Sequence, residues 1–207
     1  MLKIGLTGSI AVGKSFVLSV LSELGCATFD ADRIAHSVME PGRAAYDDIV
    51  REYGRGVLAA DGSIDRAKLG AIVFADSERR KRLNEMVHPR VIEEQDRLLA
   101  EAEARDPEGI AVVDAALMIE SGGYKRFDKL IVVFCEREVQ IERLVRRNGI
   151  TREDAELRVA AQMSSDEKRR YADYEIDTSG EPEDTRRRVI EVHAELEKLK
   201  ESVQNPL

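Results

Sequence analysis

Apolar residues along this chain fall into short continuous runs and longer helical stripes, and the two kinds alternate. Leu2 to Thr7 reads as a strand and Gly8 to Gly13 as a turn. Lys14 to Leu24 follows as a helix, with Val17, Leu18, Val20, Leu21 and Leu24 on its apolar side. Gly25 ends it, and Cys26 to Phe29 predicts a second strand running into Asp30-Ala31-Asp32. From Arg33 to about Arg105 the pattern is almost wholly helical, with turns at Pro41-Gly42 and Asp61-Gly62. Asp106-Pro107-Glu108-Gly109 is a break. After it, Ile110 to Val113 and Leu130 to Phe134 are unbroken apolar runs, the mark of strands buried on both faces. Glu138 to Arg147 is helical, and Thr151 opens another helix as an N-cap followed by Glu153 and Asp154. Glu183 to Lys200 closes the pattern, with Val189, Val192, Leu196 and Leu199 on one stripe.

Strand and helix, then a long helical interruption, then strand and helix again predict an α/β protein with a parallel sheet and an insertion. The core is expected from segments 1–32 and 108–207, and an inserted helical lobe from 33–107. Composition adds limits. The 207 residues are enough for one core plus a lobe, and 43% of them are hydrophobic. No apolar run approaches the ~20 residues of a membrane helix. Met1 to Gly5 leads directly into strand and turn, so no signal or transit segment is expected. Cys26 and Cys135 form no C-x-x-C pair, which fits a reducing, cytoplasmic setting without a zinc site. The net charge of −8 disfavours broad nucleic-acid binding, though a few focused cations can still hold a small anion.

Gly8-Ser9-Ile10-Ala11-Val12-Gly13-Lys14-Ser15 is a complete G-x-x-x-x-G-K-[ST] motif between strand and helix. Each fixed position has a chemical reason. Gly8 and Gly13 let consecutive backbone N–H groups turn inward around phosphate oxygens. The helix start near Lys14 adds unsatisfied N–H groups and the positive end of its dipole. Lys14 can reach the β- and γ-phosphates, and the Ser15 hydroxyl can join a Mg²⁺ shell.

A phosphate cradle alone does not separate a kinase from a switch or a pump. The guanine-specifying N-K-x-D string is absent, since Asn84, Asn148 and Asn205 are the only asparagines and none precedes Lys. Arg137, Arg143, Arg146 and Arg147 lie on or beside one helix, followed by Arg152, Arg158, Lys168, Arg169 and Arg170. Arg143 and Arg147, four apart, share a face and suit a transferring phosphoryl group, although Glu138, Glu142, Glu153 and Glu156 also fit a solvated, salt-bridged surface. Asp32, just past the second strand, stands where parallel sheets place ligands and could take a hydroxyl proton or hold metal-bound water. Asp30 could cap a helix. Asp114 and Glu120 follow the third strand and are further candidates near a metal. A kinase for a small molecule and an ATP-gated binding protein both remain open on these residues.

Taken in order, the motifs resemble the dephospho-CoA kinase family from about Lys3 to Gly180. The resemblance is carried by Ile4 through Ser15, by Asp30 to His36, and by Leu83-Asn84-Glu85-Met86-Val87-His88-Pro89. Leu117 to Glu120, Gln140 to Leu144 with Arg147, then Gln162 and Ala172-Asp173 complete it. It implies a P-loop NTPase-type three-layer fold with a helical lobe for the acceptor and a helical lid over about residues 138–172. It implies ATP and Mg²⁺ as cofactors and dephospho-CoA as substrate, with no nucleic-acid or membrane partner. Asp32 then resembles the base for the ribose 3′-hydroxyl, and Lys14 and Arg143 the groups on the phosphates. The expected ATP contacts are Gly8, Ala11, Val12, Gly13, Lys14, Ser15, Phe16 and Arg147, with Ser15 and, through water, Asp32 expected at the metal. Ser9 and Ala11 stand where the family has glycines, Val12 where it has serine, and Ala116 where it has proline. Asp177-Thr178-Ser179-Gly180 replaces an asparagine-containing turn. His88 reads as the cap of a helix ending before Pro89, or else as a phosphate ligand; His36 and His193 read as structural or exposed.

Overall fold

The computed structural model describes residues 1–204; the last three, at the end of the expected 108–207 segment, lie outside the described residues. The chain forms two compact units, one of Met1–Phe29 with the chain from Ala102 onward, the other of Asp30–Glu101.

The first unit is built on a five-stranded sheet. Its strands are β1 (Leu2–Thr7), β2 (Ala27–Asp30), β3 (Ile110–Asp114), β4 (Lys129–Phe134) and β5 (Tyr174–Asp177), in the order β2-β3-β1-β4-β5. β1 pairs in parallel with β3 and β4, and β4 in parallel with β5. The apolar runs of β1, β3 and β4 lie at the centre, as unbroken runs require. Ile4, Leu6, Val112, Ile131 and Val133 face α1 (Lys14–Glu23) and α9 (Pro182–Gln204), meeting Val17, Val20, Leu21, Val189, Val192 and Leu196. The opposite face is also closed, with Ala111, Val113, Leu130 and Val132 buried. Each such aliphatic side chain contributes roughly 1.5–3 kcal/mol by leaving water.

β5 has no counterpart among the strands predicted above. Its sequence is Tyr-Glu-Ile-Asp, and only Ile176 is buried. Three further helices belong to this unit: α6 (Arg137–Asn148), α7 (Arg152–Ala160), capped by Thr151 as expected, and α8 (Ser165–Arg169).

The second unit is helical: α2 (Ala31–Ser37), α3 (Ala44–Tyr53), α4 (Arg66–Ala75) and most of α5 (Ser77–Arg105). Turns fall at Gly42 and Gly62, both with positive φ, and Asp61 accepts from the Ser63 N–H. One expectation fails here. His88 does not cap a helix before Pro89, because α5 runs through both residues as one helix of 29 residues. Pro89 removes one hydrogen bond, but Val87, Gln95 and Leu99 bury one face of α5 on either side of it. His88 itself is exposed.

Candidate active site

The loop between β1 and α1 is shaped by contacts behind it. At Gly8, a Cβ atom would stand 2.3 Å from the Val133 carbonyl oxygen and 2.8 Å from Val12 Cγ2. Backbone therefore passes backbone here with no room for a side chain. Gly13 caps α1 with φ 87°, and no side chain caps the helix or places an acid in its first turn. The free N–H groups and the positive dipole end are left for an anion. Ala11 takes φ 61°, a left-handed conformation that costs a non-glycine residue roughly 1–2 kcal/mol.

The mouth of the loop is a cleft of about 330 Å³ lined by Ala11 to Ser15 together with Arg143, Arg146 and Arg147. Spacing on α6 explains the arginines: positions 143, 146 and 147 are three and four apart and lie on one side of the helix, next to the buried Gln140, Ile141 and Leu144. Arg146 and Arg147 lie in the last turn, where the helix dipole favours cations. Arg143 donates from Nη1 to Thr178 Oγ1 (3.0 Å) and from Nη2 to the Thr178 carbonyl (2.7 Å). Thr178 Oγ1 in turn donates to the Val12 carbonyl (2.7 Å), so the arginine is tied to the loop through one threonine. Lys14 Nζ lies 3.8 Å from Asp114 Oδ1, both groups mostly shielded. Register puts Asp114 there, because it pairs with Leu6 two residues before Gly8.

The structure thus gathers Ala11, Val12, Gly13, Lys14, Ser15, Arg143 and Arg147 around one cleft, with Gly8 as its packed base. Phe16 is on α1 beside them, 38% exposed and outside the cleft lining. Asp32 stands in the first turn of α2, in the other compact unit. Asp30 caps α2, its carboxylate accepting from the N–H groups of Asp32 and Arg33 (2.8 and 3.1 Å), which leaves the exposed Asp32 carboxylate outside the cap. Glu120 has a different partner from the metal considered for it. Lys168 Nζ, fully buried, donates to both its oxygens and to the Ala116 carbonyl, each at 2.8 Å. Burial pushes the Lys168 ammonium below its ordinary pKa, the Glu120 hydrogen bond opposes that, and the charge of Lys14 adds to it.

Sequence reasoning left Thr178 and Arg146 out of the site. Helical spacing from Arg143 would have found Arg146. Thr178 lies 35 residues from Arg143, and no local pattern marks it.

Comparison with known proteins decides the family. The family model described as dephospho-CoA kinase matches residues 2–184. The chain belongs to the dephospho-CoA kinase family. The dephospho-CoA kinase of Geobacillus kaustophilus is 46% identical over 193 residues, covering 92% of this chain and 94% of that one. That of Geobacter sulfurreducens is 44% identical over 191 residues, covering 92% and 96%. Among solved structures, dephospho-CoA kinase from Campylobacter jejuni aligns with a TM-score of 0.70 at 29% identity, covering 95% of this chain and 97% of that one.

Membership in the dephospho-CoA kinase family makes the chain a P-loop kinase, which implies use of ATP and, typically, a metal ion. The residues fit both. The tight passage at Gly8 and the uncapped start of α1 suit triphosphate oxygens. Ser15 and Asp114 offer a hydroxyl and a carboxylate, hard oxygen donors of the kind Mg²⁺ takes. Among the described residues no cluster of three or more His, Cys, Asp or Glu could hold a metal alone. A Mg²⁺ here would draw its other ligands from phosphate and water. Among the described residues, no helix is long and apolar enough to cross a membrane.

Proposed function

We propose that this protein transfers the γ-phosphoryl group of ATP to the ribose 3′-hydroxyl of dephospho-CoA, yielding coenzyme A and ADP. The observation that carries the reading is the cleft in which a complete P-loop faces Arg143, Arg146 and Arg147, on a chain matched to the family over residues 2–184.

In this reading the loop N–H groups and Lys14 bind the β- and γ-phosphates, with Phe16 and Arg147 beside the nucleotide. Ser15 would hold Mg²⁺ directly, with Asp32 and Asp114 acting through its water. Bound Mg²⁺ neutralises charge on the phosphates. Asp32 accepts the proton of the attacking hydroxyl, a role supported by its freedom from the α2 cap. Segments 1–32 and 108–207 hold ATP, 33–107 binds the acceptor, and 138–172 acts as lid. Gln140, Gln162, Met163 and Lys168 are hydrogen-bonded outside that lid segment. Arg143 exchanges its Thr178 bonds for phosphate oxygens as the lid closes and water is excluded. We place the protein in the cytoplasm, consistent with two buried free thiols, of which Cys26 is pushed up to about 12, chiefly by burial.

A coupled ADP-release assay with Mg·ATP tests the reaction. ADP and coenzyme A should form with dephospho-CoA, and no acceptor-dependent ADP with AMP, UMP or shikimate. Activity with one of those instead would keep the kinase and overturn the acceptor. Asp32→Asn should leave Mg·ATP binding nearly intact and cut turnover by roughly 10²–10⁴-fold. Turnover that survives this change would exclude Asp32 as the base.

A further inference from the structure

Both polar groups of the Ile10 backbone are taken by side-chain amides from distant parts of the chain. The Ile10 N–H donates to Gln162 Oε1 (2.7 Å), and the Ile10 carbonyl accepts from Gln140 Nε2 (2.6 Å). The orientation of each amide follows from chemistry, since a backbone N–H can only donate and a carbonyl can only accept. Gln140 sits on the buried face of α6, and Gln162 just beyond the end of α7. Next to them the Ser9 hydroxyl donates to the Met163 carbonyl (2.9 Å). The side chains of Ile10 and Ala11 pack on Ile141, Leu144 and Ala155 of the same two helices.

The Ile10 carbonyl belongs to the peptide plane that joins Ile10 to Ala11. The N–H bond fixes the preceding Ser9–Ile10 plane and the carbonyl bond fixes this one, so the chain entering Ala11 is held on the N-terminal side of the N–Cα bond about which φ turns, at the residue with φ 61°. Ala11 is also the first residue of the continuous stretch lining the phosphate cleft, which neither glutamine lines. A glycine at 11 would take this conformation without help; an alanine needs it imposed.

We propose that Gln140 and Gln162 are positioning residues that hold Ala11 in its left-handed conformation and so preform the phosphate cradle for Mg·ATP. The inference rests on the reading of the loop as the ATP site. Preforming matters because a cradle ordered only on binding would spend part of the binding free energy on that ordering. Through the same two bonds, α6 and the end of α7 are tied to the cradle itself.

The test measures the Kd of Mg·ATP by calorimetric titration, alongside kcat, the KM of each substrate and Tm. Gln162→Met removes the acceptor, and Gln140→Met removes the donor. Each should weaken Mg·ATP about fivefold, the equivalent of one net hydrogen bond. The kcat at saturating ATP and the KM for dephospho-CoA should stay within about twofold, as for a loss of uniform ATP binding. Gln162→Glu keeps an acceptor and should recover most of the affinity lost in Gln162→Met. Gln162 is only half-buried, so this pair of variants decides the matter even if Gln140→Met does not fold. A fall in Tm with Kd unchanged in the methionine variants would overturn the proposal, leaving two bonds that merely stabilise the fold. Wild-type protein that failed to bind Mg·ATP at all would overturn the cradle reading first and this proposal with it.

Discussion

At Gly8 the motif and the fold impose the same demand for different reasons. The motif needs a backbone that curls around phosphate; the fold needs a residue that lets β1 pass the Val133 carbonyl of β4. A Cβ would meet that oxygen at 2.3 Å, and the oxygen belongs to a central strand that cannot withdraw. Gly8→Ala should therefore lower unfolding free energy by about 3 kcal/mol, the upper range for overpacking, in urea titration, and abolish Mg·ATP binding. Gly13 makes a contrast. A Cβ added there would find Thr178 Oγ1 nearest, at 3.4 Å, so the cost of Gly13→Ala comes from φ 87° alone, about 1–2 kcal/mol. A larger loss at Gly13 than at Gly8 would contradict this account. Residues fixed by local chemistry, such as Gly8, Gly13, Lys14 and Ser15, were legible in the sequence. Gln140 and Gln162 were not legible in this role, because they stand 130 and 152 positions from the Ile10 they hold.

Elements were legible in proportion to how much apolar surface they bury. β1, β3 and β4 are central and continuous, and the sequence announces them. β5 is a four-residue edge strand with one buried side chain, and its alternation is too short to separate from a loop. α8 is five residues long and is held by a capping box at Ser164 and by the enclosed Lys168. That lysine joins α8 to the loop after β3 through Glu120 and the Ala116 carbonyl. Lys168→Met should cost about 1–2 kcal/mol in urea unfolding, chiefly because it leaves the Ala116 carbonyl without its donor, while the exposed Glu120 is hydrated in its place. The pH response has a definite sign. The folded-state pKa of Lys168 lies below its unfolded value, so the unfolded chain binds more protons between the two. The cost of keeping the ammonium charged in the fold is present in full below the folded pKa and fades as pH rises toward the unfolded value. A wild-type stability rise over that alkaline window, absent from Lys168→Met, is the expected difference.

Across the whole molecule, the acidic surface and the cationic cleft have separate tasks. A net charge of −8 favours solubility, whereas Lys14 and three arginines are focused on one opening, where the proposed affinity for a polyphosphate would arise. Two units of the chain also divide the proposed work, since the P-loop lies in one and Asp32 in the other. Ligand linkage separates their contributions without measuring catalysis. A ligand that binds only the folded state stabilises it by about 2.7 kcal/mol at one hundred times its Kd. Mg·ATP at that concentration should stabilise the protein by this amount in calorimetry. Lys14→Ala removes the cation proposed to meet the β- and γ-phosphates and should abolish most of the shift at the same ATP concentration. Asp32→Asn should retain most of it while losing turnover, because in its proposed role the carboxylate takes the acceptor's proton and reaches Mg²⁺ only through water. If Lys14→Ala kept the full shift, the triphosphate would be bound elsewhere; if Asp32→Asn lost it, Asp32 would belong to nucleotide binding and its role as base would fall.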